Sequence, residues 1–197
     1  NGFHNALLEQ VLGFSGHASV YDPQFEPVRD SNTIVEKLEK TPHVTEAIAL
    51  VEGQVLFSST KNATGALVRG VSEGDVVKLK GLNNDKLRTA IRTPGGLDEE
   101  PGFKGWDQSG GIAIGERMAW KHQIGLGMTV TLLSPNGPET VMGEVPRSRD
   151  YPVVAIFKMG VSEYDENVVY MPLAESQDFF ALDDGVTLVE LMVDDPE

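Results

Sequence analysis

The order of its predicted helices and strands limits what this 197-residue chain can fold into more than any other feature. Apolar residues recur at helical spacing in some segments, and β-branched apolar runs bounded by glycine or proline occur in others. The two kinds of segment follow one another irregularly. Because a doubly wound parallel sheet requires strands and helices to alternate, this order favours an α+β fold.

The predicted elements begin and end at local signals. Thr33 and Glu36 have the spacing of a capping box, which predicts a helix there that ends before Pro42. Further helices are predicted at 1–11, 87–91, 116–124 and 173–180. Strands are predicted at 17–21, 66–71, 111–114, 129–133, 152–157, 167–171 and 186–193, with a hairpin over 44–58 that turns at Glu52-Gly53.

Glycine and proline are concentrated between Thr93 and Gly111. Because these residues interrupt helices and strands, no regular secondary structure is predicted in this stretch. A subdomain boundary is predicted there. The chain also begins at Asn1 without a methionine, which is typical of a piece of a longer protein. No apolar run approaches the roughly 20 residues of a membrane-spanning helix.

The charge of the chain excludes some partners. It has 16 Lys and Arg residues against 30 Asp and Glu residues, a formal net charge of −14 that repels nucleic acid and anionic membrane surfaces. Because of this charge, we expect no nucleic-acid partner. The chain also has no cysteine, which excludes disulfides, thiolate nucleophiles and cysteine-ligated metals.

Side chains suited to catalysis or metal binding do not form a recognisable motif. The four histidines lack the i, i+4 spacing of two metal ligands on one helix, so no metal site and no cofactor are predicted. Each histidine, including His122, is expected at the surface or at a cap. Trp106 and Trp120 are expected in the core rather than as ligand platforms. Glu163 and Asp165 leave a hydrolase open as a distant alternative.

One loop, residues 135–146, combines bounding prolines with exposed apolar character. Val141, Met142 and Val145 are costly on a protruding loop unless something covers them. They either pack back onto the base of a long hairpin or bind a partner, and methionine suits an adaptable contact surface. Arg147 and Arg149 follow the loop and supply directed donors beside it.

Short motifs across the chain resemble those of permease subunits of the lipoprotein-releasing ABC transporter, the LolC/LolE family. The motifs are Asn1-Gly2-Phe3, Gly13-Phe14-Ser15-Gly16-His17, Gly115-Glu116-x-x-Ala119, Gly127, Met142-Gly143 with Pro146, Phe157-x-x-Gly160 with Glu163-Tyr164-Asp165, and Met171-Pro172-Leu173-x-x-Ser176-Gln177. The resemblance implies the large periplasmic domain between the first two membrane helices of such a subunit, on the periplasmic side of the Gram-negative inner membrane.

The resemblance also implies a domain division and a binding site. A porter-like α+β subdomain, 1–105 and 173–197 with a truncated C-terminus, would be interrupted by a β-rich Sabre-like subdomain, 106–172. A hairpin called the hook and an adjacent patch called the pad would bind a LolA-type periplasmic chaperone. The matching residues are Pro135, Val141, Met142, Gly143, Val145, Pro146 and Arg149. The chain departs from the family pattern at Thr131, Ser148, His122 and Gln123, and its loop is one residue shorter.

The function implied is non-catalytic. The domain would take part in releasing outer-membrane lipoproteins and passing them to the chaperone, using ATP hydrolysis by a cytoplasmic ATPase subunit and working with a second permease subunit. Alternatively, a MacB-like efflux or mechanotransmission domain would bind a membrane-fusion adaptor. Whether the subunit is of the LolC type, the LolE type or a merged form stays open.

Overall fold

A computed structural model describes residues 16–24, 26–79, 82, 88–93, 96–101, 103–135, 139–140 and 143–194. Helices and a mixed β-sheet combine in it as the predicted α+β fold. The predicted helix over 1–11 lies outside the described residues. Within those ranges, no helix has both the length and the apolar character needed to cross a membrane.

The described residues form five α-helices and twelve strands. The helices are α1 Ser31–Glu39, α2 Glu73–Val76, α3 Glu116–His122, α4 Ser162–Asn167 and α5 Leu173–Phe180, and a 3₁₀ turn covers Trp106–Gln108. The strands are β1 Ala18–Val20, β2 Val44–Ser58, β3 Ala63–Val71, β4 Arg88–Thr93, β5 Gly96–Pro101, β6 Ile112–Gly115, β7 Thr129–Ser134, β8 Glu139–Thr140, β9 Gly143–Glu144, β10 Arg147–Phe157, β11 Val168–Pro172 and β12 Leu188–Val193.

Six of these strands close into a ring of pairings, in the order β2, β3, β11, β6, β10, β7 and back to β2. The β3–β11 and β6–β10 pairs are parallel and the others antiparallel. Alternate residues of each strand point into the ring and are buried, as Phe57, Val68 and Leu132 illustrate. The ring is therefore a small barrel filled by its own side chains.

Strand β2 is 15 residues long and extends beyond the barrel. Its C-terminal half, with Val55 and Phe57, lines the barrel interior. Its N-terminal half carries Ala47 and Ala49 on the same face, and these pack against α1 and β12. Strands β12 and β1 continue the sheet beside this half. One strand thus joins the barrel to the helix-covered part of the sheet.

Glu52-Gly53 does not turn the chain, so the predicted hairpin at 44–58 is wrong. Strand β2 runs through both residues and pairs with β3 along its C-terminal half. Gly53 instead admits the ring of Phe180 from α5, since a Cβ at this position would lie 2.3 Å from Phe180 Cζ. The glycine that indicates a turn in the sequence serves a close helix-to-sheet contact.

Three other local predictions are wrong. Residues 88–93 form strand β4, which pairs with β5 and β10, rather than the helix predicted at 87–91. The stretch predicted to lack regular structure contains β5 and the 3₁₀ turn. Helix α1 has Asp30 at its N-cap, so Thr33 lies inside the helix and does not cap it. In contrast, α5 has the predicted bounds.

The two tryptophans differ in their environments. Trp106 is 1% exposed in a core that includes Phe103 and Phe157, and its Nε1 donates a 2.9 Å hydrogen bond to the carbonyl of Val71. Trp120 on α3 is 84% exposed, so its predicted place in the core is wrong.

The predicted division into two subdomains stays a prediction. Strands from both proposed parts pair with one another, β3 with β11 and β2 with β7. The barrel therefore contains strands from both sides of the predicted boundary at residue 106.

A buried ion cluster joins strands β2, β3, β11 and β12. Arg69, 2% exposed, donates from Nε to Glu52 at 3.0 Å and from Nη2 to Glu190 at 2.5 Å. Its Nη1 donates to the hydroxyl of Tyr170 at 3.4 Å. Burial opposes the charge of Arg69, but Tyr170, Glu190 and Glu52 raise its pKa above the ordinary value. Arg69 thus compensates the negative charges of Glu52 and Glu190, which would otherwise lack a positive partner.

Replacing Arg69 by methionine should destabilise the fold, because Glu190, whose side chain is 7% exposed, would be left as an uncompensated buried charge. We expect Arg69→Met to lower the free energy of unfolding by roughly 3–5 kcal/mol in denaturant titrations. The matched control is Arg29→Met. Arg29 is 61% exposed beside Asp183 and Asp184, so its loss should cost less than about 1 kcal/mol. Equal losses for the two variants would contradict a special role for the cluster.

His122 is buried, contrary to its predicted surface or cap position. It is 1% exposed, and its ring nitrogens lie 3.2 Å from Ser59 Oγ and 3.0 Å from Thr64 Oγ1. The ring also packs edge-on against Phe57, with 4.9 Å between the two ring centroids. Burial, followed by the charge of Lys121, lowers the pKa of His122.

The lowered pKa of His122 predicts how stability changes with pH. The folded chain binds this proton more weakly than the unfolded chain does. The resulting stability is therefore complete above the unfolded pKa of about 6.5 and is lost as pH falls through the folded-state pKa. We expect the urea midpoint to fall less between about pH 7.5 and about pH 5 in His122→Leu than in the wild type.

The matched control for this pH effect is His43→Leu, whose ring is 74% exposed beside Asp194. This variant should show the same fall in urea midpoint as the wild type. The same fall in His122→Leu as well would contradict the assignment of the pH effect to His122.

Candidate partner-binding site

The predicted loop 135–146 contains a short hairpin that continues the β7–β10 pair. The last pair of that ladder is Ser134 with Arg147. Beyond it, β8 and β9 pair antiparallel, with Glu139 opposite Glu144 and Thr140 opposite Gly143. We call residues 139–144 the tip hairpin. Residues 136–138 and the predicted site residues Val141 and Met142 lie outside the described residues.

The base of the tip hairpin exposes apolar and proline residues. Val145 is 48% exposed, and Pro135 and Pro146 are exposed as well. An apolar side chain of this size at the foot of a projecting hairpin is in contact with solvent rather than folded back into the barrel. Of the two interpretations of this loop, Val145 therefore does not follow the one in which it packs back onto the base of the hairpin.

The outer surface of the barrel next to this base carries a row of apolar and small residues. Gly65, Leu56, Leu133 and Ser148 lie in register across β3, β2, β7 and β10. They face outward because the residues that alternate with them, such as Phe57 and Leu132, are buried in the barrel. Leu56 is 41% exposed. A depression of about 330 Å³ beside Leu56 is lined by Gln54, Val55, Gly65, Ala66, Leu67 and Asn167.

Arg149, the predicted pad arginine, lies on the opposite face of β10. Its Nη1 donates to Glu175 Oε1 at 2.8 Å and to Asp178 Oδ2 at 2.7 Å. The hydrogen bond to Asp178, and after it the one to Glu175, raises the pKa of Arg149 above its ordinary value. The structure thus brings Arg149 together with two carboxylates of α5. Pro135, Val145 and Pro146 lie instead at the base of the tip hairpin.

Thr131 and Ser148, two of the positions at which the chain departs from the family pattern, lie on the outward face of the barrel. Thr131 donates from Oγ1 to Asp150 Oδ1 at 2.6 Å, and Ser148 is exposed. The face that carries them therefore also carries the Asp150 carboxylate, which is paired with the Thr131 hydroxyl.

Glu175 and Asp178 are the residues at this site that the sequence reasoning missed. They are three positions apart on the predicted helix 173–180, so they share one face of it. That spacing was available as a signal, but their partner Arg149 is 26 and 29 residues away in the sequence.

The two acidic residues considered for hydrolysis, Glu163 and Asp165, do not form a common site. Asp165 is 2% exposed, and its carboxylate accepts hydrogen bonds from the backbone amides of Met159 at 2.8 Å and Gly160 at 3.1 Å. It fixes the turn that precedes α4. Glu163 is exposed on that helix.

The histidines take part in local contacts. His17 Nδ1 accepts from the amide of Val193 at 3.0 Å, and His43 Nδ1 lies 3.1 Å from Asp194. In the part of the chain that the structure describes, no three His, Asp or Glu residues are grouped so that they could hold a metal ion.

Comparison with known proteins finds relatives that match this chain along its whole length. The chain is 26% identical over 200 residues to the lipoprotein-releasing system transmembrane protein LolC of Neisseria meningitidis, a match that covers 100% of this chain. It is 27% identical over 201 residues to the corresponding protein LolE of Haemophilus influenzae, again over 100% of this chain. The chain spans less than half, 45%, of each relative's length. No family model matches.

Among solved structures, the periplasmic region of MacB from Actinobacillus actinomycetemcomitans has a similar fold. The TM-score is 0.53 at 12% sequence identity, covering 96% of this chain and 80% of the MacB region. At this identity the similarity concerns the fold alone. The resemblance to the LolC/LolE family of lipoprotein-releasing permease subunits predicted from the sequence is therefore confirmed, and the chain has a MacB-like α+β fold.

Proposed function

We propose that this chain is the periplasmic domain of an ABC transporter permease subunit that takes part in releasing outer-membrane lipoproteins. It passes them to a LolA-type periplasmic chaperone, which docks on the tip hairpin. ATP hydrolysis takes place on a separate cytoplasmic subunit, and a second permease subunit completes the transporter. The single observation that carries this proposal is the tip hairpin, which continues the β7–β10 pair within the loop 135–146.

The chemistry of the tip hairpin and its base supports docking by apolar contact. Val145, Pro135 and Pro146 are exposed at the base, and Leu56 and Leu133 lie beside it on the neighbouring barrel surface. Met142, two residues from Glu144, supplies the adaptable apolar side chain of the hook.

Apolar residues at the centre of an interface contribute most of its binding energy, whereas charges at the rim contribute to orientation. We therefore assign affinity to Met142 and Val145.

The proposal predicts that Met142→Asp abolishes binding of the purified LolA-type chaperone, because a carboxylate would have to be buried without a partner at the centre of the interface. The measurement is isothermal titration calorimetry. Circular dichroism of the variant should match the wild type.

The matched control is Met128→Asp, which makes the same chemical change at an exposed methionine. Met128 is 45% exposed and precedes the first residue of β7, whereas the tip hairpin follows the last residue of that strand. This variant should bind like the wild type. Unchanged affinity of Met142→Asp would refute the docking site. Binding of a membrane-fusion adaptor in place of the chaperone would select the MacB-like alternative.

A further inference from the structure

We propose that Arg149 is a positioning residue: it clamps strand β10 to helix α5 through Glu175 and Asp178, and so sets the direction of the tip hairpin without touching the partner. The inference rests on the proposed function only where it concerns chaperone affinity. The clamp itself is a property of this chain.

The surroundings of Arg149 argue against a free positive charge. One guanidinium lies within 2.8 Å of Glu175 Oε1 and within 2.7 Å of Asp178 Oδ2. Two carboxylates facing one guanidinium leave this group of three with a net negative charge. A partner approaching this face would meet an occupied arginine, and a new contact would have to replace two charge-assisted hydrogen bonds.

The neighbours of Arg149 on the same face of β10 bind the same helix. Arg147 Nη1 donates to the carbonyls of Asp178 at 2.5 Å and Phe179 at 3.0 Å, near the C-terminal end of α5. The hydroxyl of Tyr151 donates to Glu175 Oε1 at 2.8 Å. Because alternate residues of a strand share a face, three successive side chains of that face engage α5. The strand is held along its first five residues, directly after the tip hairpin.

Helix α5 is itself fixed to other strands of the barrel, so it can serve as an anchor. Phe180 packs on Gly53 of β2, and Ser176 packs on Gly70 of β3. A Cβ at Gly70 would lie 1.7 Å from Ser176 Oγ, which shows how closely helix and sheet approach. The base of the tip hairpin is thus connected through α5 to strands on the far side of the ring.

A contact role and a positioning role for Arg149 make opposite predictions for its carboxylate partners. If Arg149 touched the chaperone, removing Glu175 and Asp178 would free its charge and would preserve or tighten binding. If Arg149 acts through these carboxylates, removing them has the same effect as removing the arginine. A double-mutant cycle separates the two roles.

The first measurement is the affinity for the LolA-type chaperone of Arg149→Met, of the double variant Glu175→Gln/Asp178→Asn and of the triple combination. We expect Arg149→Met and the double variant each to weaken binding roughly three- to tenfold, and the combination to be no weaker than either. The matched control is Arg117→Met on α3, which removes an exposed pair with Glu166 and should leave affinity unchanged.

The second measurement needs no chaperone. Since the chain has no cysteine, Thr140→Cys in the tip hairpin and Ala174→Cys on the exposed side of α5 allow two spin labels to be attached. Double electron–electron resonance should give a narrow distance distribution in the labelled wild type. It should broaden or shift in Arg149→Met and in Glu175→Gln/Asp178→Asn, and it should stay narrow in Arg117→Met.

Both measurements can overturn the proposal. Weaker binding of Arg149→Met together with unchanged or tighter binding of Glu175→Gln/Asp178→Asn would make Arg149 a partner contact. Unchanged distance distributions in both variants would refute the clamp. If the wild type binds no chaperone, the proposed function fails, and the distance distributions still decide whether the clamp exists.

Discussion

Strand β2 is the element on which the rest of the structure depends, because its inward-facing residues contribute to two hydrophobic cores in succession. Ala47 and Ala49 pack under α1, whereas Val55 and Phe57 fill the barrel. Gly53, between these two groups, leaves room for Phe180 of α5. A side chain at this position would push α5 away from the barrel. The anchor for the base of the tip hairpin would move with it.

The polar interior has a similar joining role. Arg69 connects four strands of the sheet through Glu52, Glu190 and Tyr170. Two of these strands, β3 and β11, belong to the barrel alone, and β12 belongs to the part of the sheet outside it. Buried ionic groups of this kind are expensive to desolvate, and removing one member leaves the others buried without a compensating charge. The cluster therefore fixes how the barrel meets the rest of the sheet.

Much of the fold could be predicted from local pattern, as α5 and β7 illustrate. The failures have a common physical cause. Gly53 indicates a turn only until its contact with Phe180 is known, and residues 88–93 become a strand through pairing with β5 and β10. His122 is buried because Ser59 and Thr64, about 60 residues earlier, complete its hydrogen bonds. Long-range contacts overrode local propensity in each case.

Long-range contacts also determine the geometry of the candidate site. The sequence identified the loop and the arginine beside it, but the direction of Arg149 depends on the alternation of β10 and on two acids from α5. The direct test of the account is site-specific photo-crosslinking in the intact transporter, with a photoreactive residue at Thr140 or at the exposed Trp120. We expect an adduct with a LolA-type chaperone from Thr140 and none from Trp120. An adduct from Trp120 alone, or an adduct of Thr140 with a membrane-fusion adaptor, would contradict it.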